Sequence, residues 1–421
     1  MNIRTKILSA VCIASAAVFF SCGESDVIHS QNEQTLVTLS WWGNDARNEY
    51  TLEAVEEFGK LHPEIKVKCS YSEWSGYEAR SRVQMISDTE ADVMQVNFAW
   101  LSEYSPDGKG YYDLEKLSDI IDLSNYSEDM LEYGRKNGIL NAVPIAMNTE
   151  TIYINQSVLD KYNLDVPLTW DDLFVCAETL RKDGIYLLSG PSKSVWLYAI
   201  TYAEQLSGKK FTDGDNFSFT ADELEIMIEF YDRLVKEEVM PQVEYFRKID
   251  LDNKVYAGTV AWVSDAVNYL GTLSNKGENI IPAEYTALPG IESGTGWYAK
   301  PATMYAVSKN TECPKEAGLL LDFLCNSMEM AQLQGVEKGI PLSKSAREHL
   351  DEIGMLSGIQ YEASKLMENN PHMSKMHPLM ENSRIIEDYF AVCNEVIFDK
   401  ADSKEASEIL FEQITEICKN L

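Results

Sequence analysis

Residues 35–44 read Thr35-Leu36-Val37-Thr38-Leu39-Ser40-Trp41-Trp42-Gly43-Asn44, and the fold is decided here. Apolar and hydroxyl residues alternate through Ser40 as in a β-strand. Two indoles, a glycine and an asparagine then arrive where such a strand runs out into a loop. From Arg47 to Leu61 the apolar residues Tyr50, Val55, Phe58 and Leu61 recur at roughly helical spacing. The unit is therefore strand, short polar turn, helix. In open α/β sheets ligands bind just beyond the carboxyl ends of the strands, which is where Trp41 to Asn44 stand. Successive strand residues face opposite ways, so one indole of the pair is expected to pack inward.

The pattern repeats outward from this stretch. Ile65 to Tyr71 alternates as a strand and ends at Ser72-Glu73-Trp74-Ser75-Gly76-Tyr77, with a helix to about Ser87. Ala91 to Val96 is an apolar strand closing with Asn97-Phe98-Ala99-Trp100. Three βα units in succession predict parallel strands, with Trp42, Trp74 and Trp100 along one edge of the sheet. Further on, Ile139 to Ile145 and Thr151 to Asn155 are strands joined across Met147-Asn148-Thr149-Glu150, a break short enough to be a crossing between two lobes. Thr169 and Asp172 stand in a capping-box relation at the start of a helix. Ile185 to Ser189, Gly258 to Val263, Tyr285 to Pro289 and Met304 to Ser308 read as strands, and a helix is expected from Ser264-Asp265. From Pro314 the chain reads as almost wholly helical to Leu421, so the fold class is α/β with two lobes and a helical C-terminal tail.

With 421 residues, 45% hydrophobic and 24% charged, the composition is that of a globular protein with room for two domains. Arg4 and Lys6 precede an apolar run from Ile7 to Phe20, followed by Ser21-Cys22-Gly23, which is a signal peptide too short to span a membrane. A small residue and then Cys after the apolar run resembles a bacterial lipobox, with Phe19 where Leu is usual. That makes Cys22 the expected acylated N-terminus. Gly23 to Gln34 is polar and aperiodic, as a tether would be. A net charge of −31 argues against nucleic acid and anionic lipid as partners, and fits a neutral ligand better. Six cysteines beyond Cys12 and Cys22 form no C-x-x-C pair and stand mostly in apolar contexts, as buried free thiols do.

Two stretches suggest metal and are better read without one. Thr212-Asp213-Gly214-Asp215-Asn216 lacks the spacing and terminal Glu of an EF-hand and reads as a solvated turn. His372-Met373-Ser374-Lys375-Met376-His377 offers soft ligands but reads as a polar loop. No cofactor is expected. Gly-x-Ser-x-Gly, His-Glu-x-x-His and P-loop patterns are all absent, and five histidines leave little material for acid–base chemistry. A glycan-active surface enzyme needs paired carboxylates, and among 67 acidic residues a chance pair proves nothing.

The lipoprotein-like start, Trp41 to Asn44, Phe58 to Val67, Ala91-Asp92-Val93, Ala142-Val143-Pro144 and Tyr153-Ile154-Asn155 together resemble the family 1 extracellular solute-binding proteins. Pro167 to Leu173, Gly258 to Ala261, Ala306 to Asn310, Ala317, Phe323-Leu324 and Gly339-Ile340-Pro341 extend the likeness over nearly the whole mature chain. Their order is similar to that of the maltodextrin-binding-like branch of carbohydrate ABC importers. The resemblance implies a type II two-lobe fold with a hinge of crossing strands, closing on an oligosaccharide and docking on a membrane permease. With the lipobox at Cys22, the expected protein is an exported, lipid-anchored monomer at the outer face of the bacterial cell membrane or on its periplasmic side, not an enzyme. The expected organisation is signal peptide 1–21, tether 22–34, N-terminal lobe 35–145 plus 263–324, and C-terminal lobe 146–262 plus 325–421. A peptide or polyamine in place of the sugar stays open as an alternative.

Sugars present C–H-rich ring faces and a rim of hydroxyls, so their receptors need flat aromatics beside short polar side chains. The candidates for ring faces are Trp42, Trp74, Trp100, Trp262 and Trp297, with Trp41 and Trp196. For hydroxyls they are Asn44, Arg47, Asn97 and Asn148, with Asp265.

Overall fold

The structure is a computed structural model that describes residues 34–214, 216–243, 256–265, 277–284, 286–292 and 294–419. The expected leader, Cys22, nearly all of the tether, Tyr285 and the side chain of Asp265 lie outside the described residues.

The opening unit folds as its sequence pattern demands. In β1 (Thr35–Trp42), Val37, Leu39 and Trp41 point into one core, and Trp42 emerges on the opposite face. Asn44 then caps α1 (Asp45–Leu61), its side chain accepting from the Arg47 backbone N–H at 2.9 Å. Asp45 in the first turn and Lys60 in the last complement the helix dipole, and Tyr50, Thr51, Ala54 and Phe58 form the buried stripe. The chain returns along β2 (Ile65–Ser72), α2 (Trp74–Ser87) and β3 (Val93–Val96). Both β2 and β3 pair with β1 in parallel, so the three junctions share one sheet edge as expected.

Two long strands carry the rest. β4 (Ala142–Asn155) is buried along all 14 residues. In the eight-stranded sheet its first half lies against β7 (Tyr298–Val307), which also pairs with β3. Its second half lies between β5 (Gly258–Trp262) and β6 (Ile280–Ala283), both antiparallel to it. At Gly258 an added Cβ would come within 2.5 Å of the Tyr153 carbonyl oxygen, so only glycine fits that contact. One hydrophobic core, around Trp41, Phe58, Val143, Tyr305 and Leu321, serves the first half of the molecule. A larger one, around Ile152, Trp170, Trp196, Tyr198, Tyr231, Tyr389 and Leu410, serves the second. β4 contributes to both, as a crossing strand must.

The cores divide the chain differently from the expected boundaries. Ala283, Trp297 and Tyr298 belong to the second core, because β6 pairs with the far half of β4. Met330 belongs to the first, because the helix Met328–Gln334 packs on α1. Other local expectations shift as well. Ile185 to Ser189 forms no strand, only an isolated bridge from Tyr186 to Tyr256. The strand expected after Tyr285 lies earlier, at Ile280–Ala283, an edge position where Pro282 is tolerated; Ala287 makes only an isolated bridge to Thr169. The turn Val263–Asp265 is a 3-10 helix. The capping box at Thr169 and Asp172 forms, and the cysteines of the described residues are free thiols. No helix among the described residues is long and apolar enough to cross a membrane.

Candidate ligand-binding site

At the shared edge of β1, β2 and β3 the three junction indoles meet. The Trp42 ring lies 5.0 Å from Trp74 and 6.3 Å from Trp100, and Trp74 stacks on Trp100 at 5.8 Å with an 18° interplanar angle. Tyr77 underpins the cluster, stacking on Trp100 at 5.9 Å and donating its hydroxyl to the Gln95 carbonyl. Trp74 is 37% exposed and Trp42 half-buried, whereas Trp100 is buried beneath them as part of the core on that sheet face.

The other indoles do not join this group. Trp41 is fully buried in the first core, stacked on Tyr71 at 4.7 Å, with its indole N–H donated to Asn48. Its position two residues beyond Leu39 turns it inward, which corrects its expected place in the site. Trp196 is corrected likewise. It sits on α3 (Ser192–Ser207), a helix buried almost all round, and donates to the Met380 carbonyl. Trp297 packs beside Tyr198 in the second core, away from the junction indoles. Trp262, the last residue of β5, is buried with the ammonium groups of Lys193 and Lys300 at 5.2 and 5.0 Å from its ring centroid.

The polar candidates are largely engaged within the protein. Asn148 exchanges two hydrogen bonds with Ser264, at 2.8 and 3.0 Å, tying β4 to the turn after β5. Asn97 accepts from the Ala99 N–H, and Arg47 donates to the Glu337 carbonyl at 3.1 Å while pairing with its carboxylate at 3.4 Å. Asn44 has its side-chain oxygen committed to the helix cap.

A buried charged cluster surrounds Trp262, and neither it nor Trp42, Trp74 or Trp100 is among the described residues that line the cavity between the halves. Beside Trp262, the Glu381 carboxylate bridges Lys193 and Lys300. Burial alone would raise the Glu381 carboxyl, but the two ammonium groups outweigh it and hold it down at about 2. Burial brings Lys300 down to about 8 despite Glu381. Glu150, opposite Trp262 in the β4–β5 register, is pushed up to about 8 by burial, which outweighs the Ser194 hydroxyl and the charges of Lys193 and Lys300.

A cavity of about 350 Å³ opens between the halves. Phe98, Leu101 and Tyr133 wall it on the first side, and Thr212, Gly214 and Met376 to Pro378 on the second. Arg135, Lys136 and Lys375 also line it. Lys375 is placed by β8 (Ser374–Lys375), which adds to β7 in parallel at Tyr298 and Ala299. A second cavity of about 330 Å³, lined by His62, Asp122, Asp322 and Phe323, involves the first half alone and contains none of the junction aromatics. The two stretches that suggested metal are accounted for otherwise. Thr212–Asp213 and Asn216–Phe217 form a small hairpin, His372 pairs with Glu292, and His377 accepts from the Leu379 N–H. Among the described residues no group of three His, Cys, Asp or Glu could hold a metal ion.

A clasp of two α/β halves around crossing strands, with a cavity between them, is the setting in which residues 43–330 match the profile of the bacterial extracellular solute-binding proteins. The chain belongs to that family. This solute-binding protein is 23% identical to an uncharacterized ABC transporter extracellular-binding protein of Pyrococcus horikoshii, over 93% of this chain and 89% of the relative. Among solved structures it is similar to a periplasmic oligogalacturonide binding protein from Yersinia enterocolitica in complex with saturated digalacturonic acid. That likeness has 28% identity and a TM-score of 0.83, over 92% of this chain and 99% of the other. A periplasmic solute binding protein from Pectobacterium atrosepticum superposes with 26% identity and a TM-score of 0.85 over the same shares. The protein is thus an extracellular solute-binding protein by family.

Proposed function

We propose that this solute-binding protein captures an oligosaccharide between its two halves and hands it to the membrane permease of an ABC importer. One observation carries the reading: the cavity of about 350 Å³ is lined by Phe98 and Tyr133 from one half and by Thr212, Lys375 and His377 from the other. Flat rings suit the C–H faces of a sugar, and flanking donors suit its hydroxyls. The oligogalacturonide ligand of the Yersinia enterocolitica protein supports a sugar.

Capture works through the hinge. Among the described strands, β4 and β7 run through both sides of the sheet, so a modest change of backbone angles along them can open and close the cavity. A ligand that touches both sides favours the closed form, and the permease can read that form. Acylation at Cys22 would keep the loaded protein near the permease without a spanning helix.

A thermal-shift screen of the mature protein over neutral and acidic oligosaccharides tests the reading. A ligand present at a hundred times its Kd stabilises by about 2.7 kcal/mol, a clear rise in melting temperature. A panel that leaves the melting temperature unchanged, while a peptide or polyamine raises it, would overturn the sugar.

A further inference from the structure

We propose that the saccharide is an acidic one, whose carboxylates are received by Lys136 and Lys375. This rests on the reading of the cavity as the sugar site and goes on to name the chemistry of the sugar.

The starting point is a mismatch between the molecule and its cavity. Acidic residues outnumber basic ones 67 to 36, yet among the described residues the cavity lining contains Arg135, Lys136 and Lys375 and no Asp or Glu. An acidic protein that builds a cationic pocket does so against its own average.

The three cations are not equivalent. Arg135 is already neutralised, paired with Glu115 at 2.8 Å and with Glu128 and Glu132 at 3.6 and 3.7 Å. Lys136 and Lys375 have no carboxylate partner among the described residues. Among the described residues the Lys136 ammonium donates to the Ser102 hydroxyl, at 3.4 Å. That of Lys375 donates to the Glu132 main-chain carbonyl at 3.3 Å and lies 4.9 Å from the Tyr133 ring centroid and 5.9 Å from that of Phe98. Burial lowers the Lys375 ammonium pKa; the Glu132 carboxylate opposes this, and the positive charge of Lys136 adds to the lowering. Two ammonium groups lining one cavity, neither ion-paired among the described residues, are a site short of an anion.

Position adds the sugar to the anion. The Lys375 ammonium lies within cation–π range of the partly exposed Tyr133 ring, so a carboxylate on the sugar's C5 substituent reaches the ammonium while a sugar face meets that ring. A uronic acid meets both demands. A free inorganic anion meets the first alone, and a neutral sugar meets the second alone. The Asp213 carboxylate stands on the hairpin beside the cavity but is exposed and not part of its lining.

Isothermal titration of the mature protein with digalacturonic acid, its dimethyl ester, the neutral digalactose and sodium sulfate tests this. The acid is expected to bind at least tenfold more tightly than its ester or the neutral disaccharide, since a charge-assisted hydrogen bond contributes about one to two decades of affinity. Lys136→Gln and Lys375→Gln should each reduce acid binding about tenfold and leave ester binding within about twofold. Raising salt should weaken the acid only, a readout in the native protein that needs no variant. Ester or digalactose binding as tightly as the acid would overturn the inference and leave the sugar site standing. Sulfate binding as well as the acid would overturn it in favour of a general anion site. If none of the saccharides binds, the sugar reading falls along with it.

Discussion

Replacing Glu150 with Gln should make the protein more stable at neutral pH, although it removes a charged residue from the middle of the crossing strand. The Glu150 side chain is 2% exposed, and burial raises its carboxyl from 4.5 to about 8. Below about pH 4.5 the group is protonated in both the folded and unfolded chain, and ionisation costs nothing. Between 4.5 and 8 the unfolded chain releases the proton while the folded chain keeps it, so stability falls as pH rises; above about 8 both forms are ionised and the loss is complete. At pH 7 the loss is about 3 kcal/mol, from 1.36 kcal/mol per pH unit travelled above the unfolded value. Gln has nearly the same shape and no proton to lose. Urea unfolding followed by tryptophan fluorescence should therefore give matching free energies for the native protein and Glu150→Gln near pH 4, with the variant ahead by about 3 kcal/mol at pH 7. Lys193, Lys300 and Glu381 face the same space and are present in both proteins, so the difference between the two curves isolates Glu150. A variant less stable at pH 7, or a difference that does not change with pH, would show that Glu150 is ionised and paired in the folded state, and the reasoning would fail.

Glu381→Gln should do the opposite. It leaves Lys300 buried beside Lys193 without a counter-ion, and breaking such a pair costs about 3–5 kcal/mol in unfolding free energy. Because the Glu381 carboxyl is held down at about 2, the native advantage over this variant should persist from neutral pH to about 4.5 and vanish as pH falls through 2, measurable by denaturation at each pH. Trp196→Ala should cost about 3–5 kcal/mol and Trp74→Ala less than about 1.5, which the same unfolding assay separates. Cys22→Ala should abolish radiolabelled palmitate incorporation and release the protein from the membrane fraction; retention of the label would assign the lipid elsewhere.

Much of the frame was legible because the signals were local. Alternation in residues 35–40 and helical spacing after Arg47 fixed the first unit, and its repetition fixed the parallel order of β1, β2 and β3. The shared edge follows from that order, which is why Trp42, Trp74 and Trp100 meet although they stand on three different connections. Strand parity also explains the division of the adjacent indoles: Trp41 follows Val37 and Leu39 into the core, and Trp42 takes the other face. The second half was harder to read. Trp196 and Trp297 carry no parity signal from a half-exposed strand, since one lies on a helix buried all round and the other enters the same core before β7.

Charge shows why the cavity itself stayed out of reach. Net charge is a sum over the surface and speaks to solubility and long-range attraction, while a cleft is governed by the few groups that line it. Lys136 lies in the two-residue strand Arg135–Lys136 paired with Ile139–Leu140, and Lys375 lies in β8, in a stretch whose histidines suggest metal. Only the parallel addition of Ser374–Lys375 to the end of β7 brings Lys375 against Tyr133, and with it the positive charge of Lys136. That pairing depends on where β7 crosses between the halves, a long-range register for which no window of sequence holds the signal. An acidic exterior and a cavity lined by Lys136 and Lys375 are therefore compatible in one molecule, and the proposal of an acidic ligand rests on those two groups rather than on the −31 of the whole chain.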